Sequence, residues 1–385
     1  MKRRKALSLL SASALSASSC KFLANARVSN YSVNDYITST LGRDFLVSGE
    51  STLHKRALAK GLFYGSSVKG HLFDDPTFAD AVIRECGVLV PEGALKWGTL
   101  RPTAEDFDFS RADAFLDFAQ QHGMLLRGHT LVWHKDLPAW LIETVNKSNV
   151  EQILQNHIQK TVKHYAGKIH SWDVVNEVIS PVNTDSGYLR KSIWRDLLGA
   201  DFLTMAFHFA AESDPSALLV FNEHKIDHNG NEEDRRRDFL LEILRDLKSK
   251  NVPVHALGMQ AHLFFHDYLG FDFDKLRAFL ASVATLGLKI IITELDVTDK
   301  EFPASPDNRD KIVASVYEDY LSCVLEEPAV IGVVTWGLSD RYTWLSERRE
   351  RSDGLPIRPL PLDSNLERKH AWNAVARAFD NAPSR

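Results

Sequence analysis

Two glutamates close apolar runs that lie far apart in the chain. Glu177 follows Val174-Val175-Asn176, and Glu294 follows Ile291-Ile292-Thr293. A carboxylate at the end of a buried strand is aimed into the mouth of a sheet. Facing carboxyls among aromatic rings are what cleavage of a glycosidic bond demands: one protonates the leaving oxygen, and the other stabilises or bonds the oxocarbenium-like carbon. Polar and aromatic residues follow the other apolar runs as well. Glu92, Lys96 and Trp97 come after Pro91, and His129, Trp133 and His134 close the next run. Asn222-Glu223-His224, Gln260 with His262, Asp296, and Trp336 with Asp340 and Trp344 complete the series. Indole faces are apolar platforms for sugar rings. A lone residue of this kind is usually a loop contact. Seven strand ends behaving alike point to one shared rim.

The elements that would build such a rim can be read from the alternation of short apolar runs with longer amphipathic stretches, the pattern of βα units. The candidate strands are Leu62 to Ser66, Val88 to Pro91, Leu125 to His129, Ile169 to Val175, Leu218 to Asn222, Ala256 to Ala261, Lys289 to Thr293 and Ile331 to Thr335. Helical spacing covers Ala112 to His122, Val150 to Tyr165, Arg235 to Lys250, Phe273 to Leu286, Asn308 to Leu325 and, at the end, Leu366 to Phe379. Repetition without a break in composition predicts a single (β/α)8 TIM barrel. In that fold the strand ends converge on the carboxyl-terminal face, where barrel enzymes keep their sites.

Composition narrows the function classes. With 44% apolar and 25% charged residues, the 385-residue chain can bury one large core. A net charge of -5 with scattered basic residues supplies no footprint for phosphate backbones, so no nucleic-acid partner is expected. The run Arg235-Arg236-Arg237 reads as a solvated helical face. Cys86 and Cys323 read as buried thiols, too few for a cysteine metal cage. A metal-dependent hydrolase would use His129, His134 and His262, but no ligand pair ends the first strand, so no metal and no cofactor is expected.

The start of the chain differs in kind. Lys2, Arg3, Arg4 and Lys5 precede a Ser-diluted apolar stretch from Ala6 to Ala17, and Ala24-Asn25-Ala26 offers a small-x-small cleavage segment. This is the pattern of an export signal, with adjacent arginines that suit the twin-arginine route, and Cys20 reads as an ordinary signal-peptide cysteine. Residues 1–26 are therefore expected to be the signal, 27–50 a Ser/Asn/Thr-rich arm or linker and 51–380 the barrel. A periplasmic or extracellular monomer with no membrane segment in its mature form is expected.

From about Leu53 to the last helix the chain resembles the glycoside hydrolase family 10 xylanases. The stretches that carry the resemblance are Glu92 to Trp97, Gly128-His129-Thr130-Leu131-Val132-Trp133-His134, Trp172-Asp173-Val174-Val175-Asn176-Glu177 and Ile292-Thr293-Glu294-Leu295-Asp296, with Trp336 to Trp344 in support. The resemblance implies endo-hydrolysis of β-1,4-xylosidic bonds in xylan and xylo-oligosaccharides, with retention of configuration. Glu177 would be the acid/base and Glu294 the nucleophile, with carboxyls only about 5–5.5 Å apart. An ionised Glu294 would then keep Glu177 protonated until it is esterified. By the same carry-over His262 would bond the nucleophile, Asp296 would orient His262, and Asn176 would bind the sugar 2-hydroxyl. Glu92, Lys96, His129, Trp133 and Gln260 would hold the glycone, while Trp336 and Trp344 would wall out the hydroxymethyl of glucose.

The chain departs from the family pattern in places. Gly93 stands where an asparagine is usual, Asn222-Glu223-His224-Lys225 replaces Asn-Asp-Tyr-Asn, and Leu345 stands where arginine is common. These changes bear on subsite strength and not on the reaction. The alternatives are a β-1,4-glucanase of similar barrel and a non-catalytic carbohydrate-binding barrel.

Overall fold

A computed structural model of the chain describes residues 33–180, 188–264, 271–300, 302, 305–348 and 351–385. The basic start, the apolar stretch, Cys20 and the cleavage segment lie outside the described residues. The strands are β1 (Phe63–Val68), β2 (Val88–Pro91), β3 (Leu125–Val132), β4 (Ser171–Asn176), β5 (Leu218–Glu223), β6 (Ala256–Met259), β7 (His262–Phe264), β8 (Lys289–Thr298) and β9 (Val330–Thr335). Neighbours run β9-β1-β2-β3-β4-β5-β6-β8, and β8 also pairs with β9, so the parallel sheet closes on itself. Helices stand between the strands. This is the (β/α)8 barrel that the alternation predicts. Both faces of each strand are covered, which is why the strands read as apolar runs and not as alternating ones.

Two small clusters fill the barrel and a large one fills the space between sheet and helices. Inside, Val220, Ala256 and Ile291 pack on Phe63 near the strand starts. Val90, Val334 and Trp336 pack with Trp344 towards the other end. Outside, the β3–β4 contact is so close that a Cβ on Gly128 would lie 2.0 Å from the Trp172 ring, so only glycine fits there. Cys86 and Cys323 are free and buried in the outer core, as their apolar surroundings in the sequence suggest.

The structure corrects four local expectations. The seventh candidate strand, read as Lys289 to Thr293, continues to Thr298, because β7 pairs alongside its second half, with His262 opposite Asp296 and Phe264 opposite Thr298. The last helix begins at His370 and not at Leu366, whose φ of 67° takes the chain out of helical geometry. Within 27–50, Val33–Leu41 forms a helix that packs on Pro306–Val324. There Phe45 is buried and Arg43 pairs with Glu318 at 2.6 Å and Asp319 at 2.8 Å, so this part of the arm is docked. Finally, Arg236 and Arg237 are not solvated. They are buried on the helix Asn231–Ser249, and Arg237 Nη1 donates to the carbonyls of Ile226 at 3.0 Å and His228 at 2.6 Å. These guanidiniums satisfy loop carbonyls that would otherwise be buried without donors. Among the described residues no helix is long and apolar enough to cross a membrane.

Candidate active site

The rim is assembled around an amide. Asn222, at the end of β5 and fully buried, donates from Nδ2 to Asn176 Oδ1 at 2.9 Å and to Glu294 Oε1 at 2.8 Å. Its own Oδ1 accepts from Thr293 Oγ1 at 2.7 Å, which fixes the orientation of the amide. Register explains the placement. Asn222 lies opposite Gly258 of β6, and a Cβ on Gly258 would sit 2.3 Å from Asn222 Oδ1. Glu294 is held from its other side by His262 Nε2, 3.1 Å from Oε2, while His262 Nδ1 lies 3.0 Å from Asp296 Oδ1. Asp296 in turn accepts from Trp344 Nε1 at 2.8 Å. Burial alone would push His262 down, but Asp296 and Glu294 outweigh it and hold the imidazolium well above its ordinary range.

Glu177 follows β4 in the left-handed region, with φ 54°. A non-glycine residue there is held by its surroundings. Its amide donates to Asn222 O at 3.0 Å, and its carbonyl accepts from Arg190 Nε at 2.6 Å. Gln260 Nε2 sits between Asn176 Oδ1 at 3.1 Å and Glu177 Oε1 at 3.4 Å. Glu177 and Glu294 are thus joined through Gln260, Asn176 and Asn222.

Residues 52–378 match the family model of glycosyl hydrolase family 10. The chain belongs to that family. An endo-1,4-β-xylanase B of Thermotoga neapolitana is 34% identical over 71% of this chain and 75% of its own length. An exoglucanase of Acetivibrio thermocellus is 33% identical over 79% of this chain but only 27% of its own length. Among solved structures, xylanase 10B from Thermotoga petrophila in complex with xylobiose superposes with a TM-score of 0.78 at 29% identity, covering 87% of this chain and 99% of that one.

Within this family 10 barrel the remaining candidate residues separate into two groups. His129 is buried with Nδ1 2.9 Å from Asp173 Oδ2, and Arg127 Nη2 reaches Asp173 Oδ1 at 2.5 Å. Burial pushes Asp173 up, but Arg127 and His129 together hold its carboxyl below the ordinary range. Trp336 packs edge-on to His129 at 5.2 Å and stands 6.3 Å from His262. These belong with the two glutamates. Gln260, expected with the glycone residues, also belongs here. Glu92 and Lys96 form a second, more open group, and Trp133 lies between the two: Glu92 pairs with Lys69 at 3.3 Å, Lys96 lies 3.5 Å from Asp136 and 4.7 Å over the Trp133 ring, and the indole of Trp133 also reaches the Glu177 region.

One electrostatic expectation fails. Burial does raise the Glu177 carboxyl, but His224, Lys135 and the Trp133 indole outweigh it and hold it below the ordinary carboxylate range in the sugar-free site. The His224 contribution needs a protonated ring, whereas burial holds that ring at about 3 and Arg190 lies 3.0 Å from its Nε2. Near neutrality the lowering therefore comes from Lys135, 3.7 Å from Oε2, and from the nearby indole. Trp133 Nε1 and Glu177 Oε2 are both buried, and neither completes a hydrogen bond of ordinary geometry.

Sequence reasoning missed Asn222 as a hub, as well as Asp173, Arg127, Thr293 and Arg190. A signal for Asn222 existed: it is an amide closing an otherwise apolar Leu-Leu-Val-Phe run. Nothing local marks Arg190 as a partner of Glu177. The departure at 223–224 is now physical. Glu223 ties the turn after Glu177 by accepting from Ile179 N at 2.9 Å, and His224 Nε2 lies 3.0 Å from Arg190 Nη2.

Proposed function

We propose that this family 10 hydrolase cuts β-1,4-xylosidic bonds inside xylan chains by a retaining double displacement. The observation that carries the reading is the grip on Glu294, whose oxygens accept separately from Asn222 and from His262. A carboxylate so held presents one orientation to a carbon above it, as a nucleophile requires. In the first step a Glu294 oxygen bonds the anomeric carbon, the bond to the leaving sugar oxygen breaks, and Glu177 passes its proton to that oxygen. In the second step water attacks the same carbon, Glu177 takes the water proton, and the bond to Glu294 breaks. In this reading Asn176, bonded to Asn222 and Gln260, meets the sugar hydroxyl beside the reacting carbon.

Glu177 must carry a proton for the first step. Sugar on the leaving side would cover the carboxyl and separate it from the half-exposed Lys135, which removes the main stabiliser of its charged form and lets burial raise it. The named relatives and the xylobiose complex support xylan as substrate. A β-1,4-glucanase is the nearest rival. Purified protein should be given linear and glucuronic-acid-decorated xylan beside cello-oligosaccharides, with product sizes and anomeric form followed by NMR. Internal cleavage of xylan giving β-configured ends supports the reading. Preference for cello-oligosaccharides or first-formed α-ends would refute it.

A further inference from the structure

The backbone of Glu177 stands at φ 54°, in the left-handed region that a side chain leaves unless its surroundings hold it there. One hold is main-chain, from Glu177 N to Asn222 O at 3.0 Å. The others come from side chains. Arg190 Nε donates to Glu177 O at 2.6 Å and Arg190 Nη2 donates to Ile179 O at 2.9 Å, so a single guanidinium spans two carbonyls of the turn. Glu223, fully buried at the end of β5, accepts from Ile179 N at 2.9 Å through Oε2. Ile179 is thus gripped at its amide by a carboxyl and at its carbonyl by a cation.

Glu223 and His224 stand where the family pattern has aspartate and tyrosine. Glutamate carries its carboxyl one methylene further than aspartate, and here it spans two backbone amides, accepting also from His224 N at 3.0 Å through Oε1. The change at 224 supplies a ring nitrogen. A guanidinium has no acceptor, so the 3.0 Å contact of Arg190 Nη2 with His224 Nε2 requires that Nε2 carry no proton. Burial holds the ring at about 3, which keeps it neutral at ordinary pH. Nη2 then gives one proton to Ile179 O and the other to His224, while Nε gives its only one to Glu177 O. A planar group committed in these directions keeps one orientation.

We propose that Glu223, Arg190 and His224 are positioning residues for the acid/base: Glu223 and Arg190 clamp the turn that follows Glu177, and His224 orients Arg190 where the family usually has a tyrosine. The inference rests on the reading of Glu177 as acid/base. Displacing a reacting group by about 1 Å costs on the order of a hundredfold in rate, so loosening the clamp should slow the steps in which Glu177 moves a proton and spare any step that needs none.

The test sets Glu223→Ala, Arg190→Met and His224→Ala beside the unaltered protein and Glu177→Ala, on a xylo-oligosaccharide and on a dinitrophenyl xylobioside. On the oligosaccharide kcat/KM should fall by about tenfold to a hundredfold for Glu223→Ala and Arg190→Met, and by about threefold to tenfold for His224→Ala. On the dinitrophenyl substrate kcat/KM, which reports cleavage of a bond whose leaving group needs no proton, should stay within about twofold. There kcat and KM should fall together, because release of the sugar from Glu294 still requires Glu177 as base. A purely structural role does not produce that split. Glu223→Gln keeps the length and one acceptor oxygen, so it should recover part of the loss and guards against a failure of Glu223→Ala to fold. Adding His224→Ala to Arg190→Met should cost no more than Arg190→Met alone, since His224 acts through Arg190. Equal losses on both substrates, unaltered cleavage of the oligosaccharide by Glu223→Ala and Arg190→Met, or losses that multiply in the double variant would overturn the proposal. Equal losses on both substrates in Glu177→Ala would instead remove the acid/base reading itself, a separate result.

Discussion

The floor of the site and the rim around Glu92 and Lys96 are built on opposite plans. On the floor, Asn176, Asn222, Gln260 and Glu294 are buried and linked by hydrogen bonds, and His262 bridges Glu294 and the buried Asp296. On the rim, Glu92 and Lys96 hold distant partners at 3.3 and 3.5 Å, and Gly93 has no side chain at all. Buried polar networks fix a single geometry because every broken bond exposes an unpaired group to low dielectric. Exposed ion pairs constrain little, since water competes for both members. The floor is therefore where a substitution should alter the chemical step, and the rim is where it should alter which sugar binds.

The sharpest test of the floor is Glu294→Ala. Hydrolysis should fall by more than the roughly 10²–10³ that a single lost transition-state donor costs. Azide should restore turnover of activated aryl xylobiosides and yield a glycosyl azide of inverted configuration. Near-normal rates on xylan would remove Glu294 from the reaction. Glu177→Ala should be nearly as damaging on xylan yet spare glycosylation of dinitrophenyl substrates, whose leaving groups need no proton. Equal losses on both substrates would argue against the acid role. Asn222→Ala takes a donor from Asn176 and Glu294 together, and kcat should drop by about 10²–10³ with KM little changed. A change confined to KM would place Asn222 in binding alone.

Effects on the rim should be smaller and can be gains. Gly93→Asn has room for its side chain and should recover one or two hydrogen bonds to the second glycone sugar. This would raise kcat/KM on an aryl xylobioside by about threefold to a hundredfold while leaving the aryl xyloside nearly unaffected. A well-folded variant with no gain would show that another residue already serves that sugar. The smallest effect is expected for Lys135→Met. Lys135 pulls the Glu177 carboxyl down, so its loss lets burial raise that group. The alkaline limb of kcat/KM, which reports loss of the acid's proton, should then move to higher pH. Lys135 is more than half exposed and screened by water, so the movement is modest. A limb that stays fixed or moves to lower pH would show that this cation does not tune Glu177.

Much of this architecture is written in local periodicity. Eight apolar runs separated by amphipathic stretches can be buried on both faces only as parallel strands under helices, and closure brings their ends to one face. That is enough to place Glu177, Glu294, His262, Asp296 and Trp344 on a common rim. The motifs around them already resemble a family of barrel glycosidases. What periodicity cannot convey is pairing across strands. Asn222 reaches both Asn176 and Glu294 because closure sets it opposite Gly258, which has no side chain to push the amide away. Gln260 reaches Asn176 and Glu177 for the same kind of reason. Arg236 and Arg237 look like a surface run but cap carbonyls beneath the rim. The charge state of Glu177 likewise depends on Lys135 and Trp133 from another βα unit. Spacing along the chain selects which residues reach the rim, whereas strand register and side-chain packing decide which donor meets which oxygen.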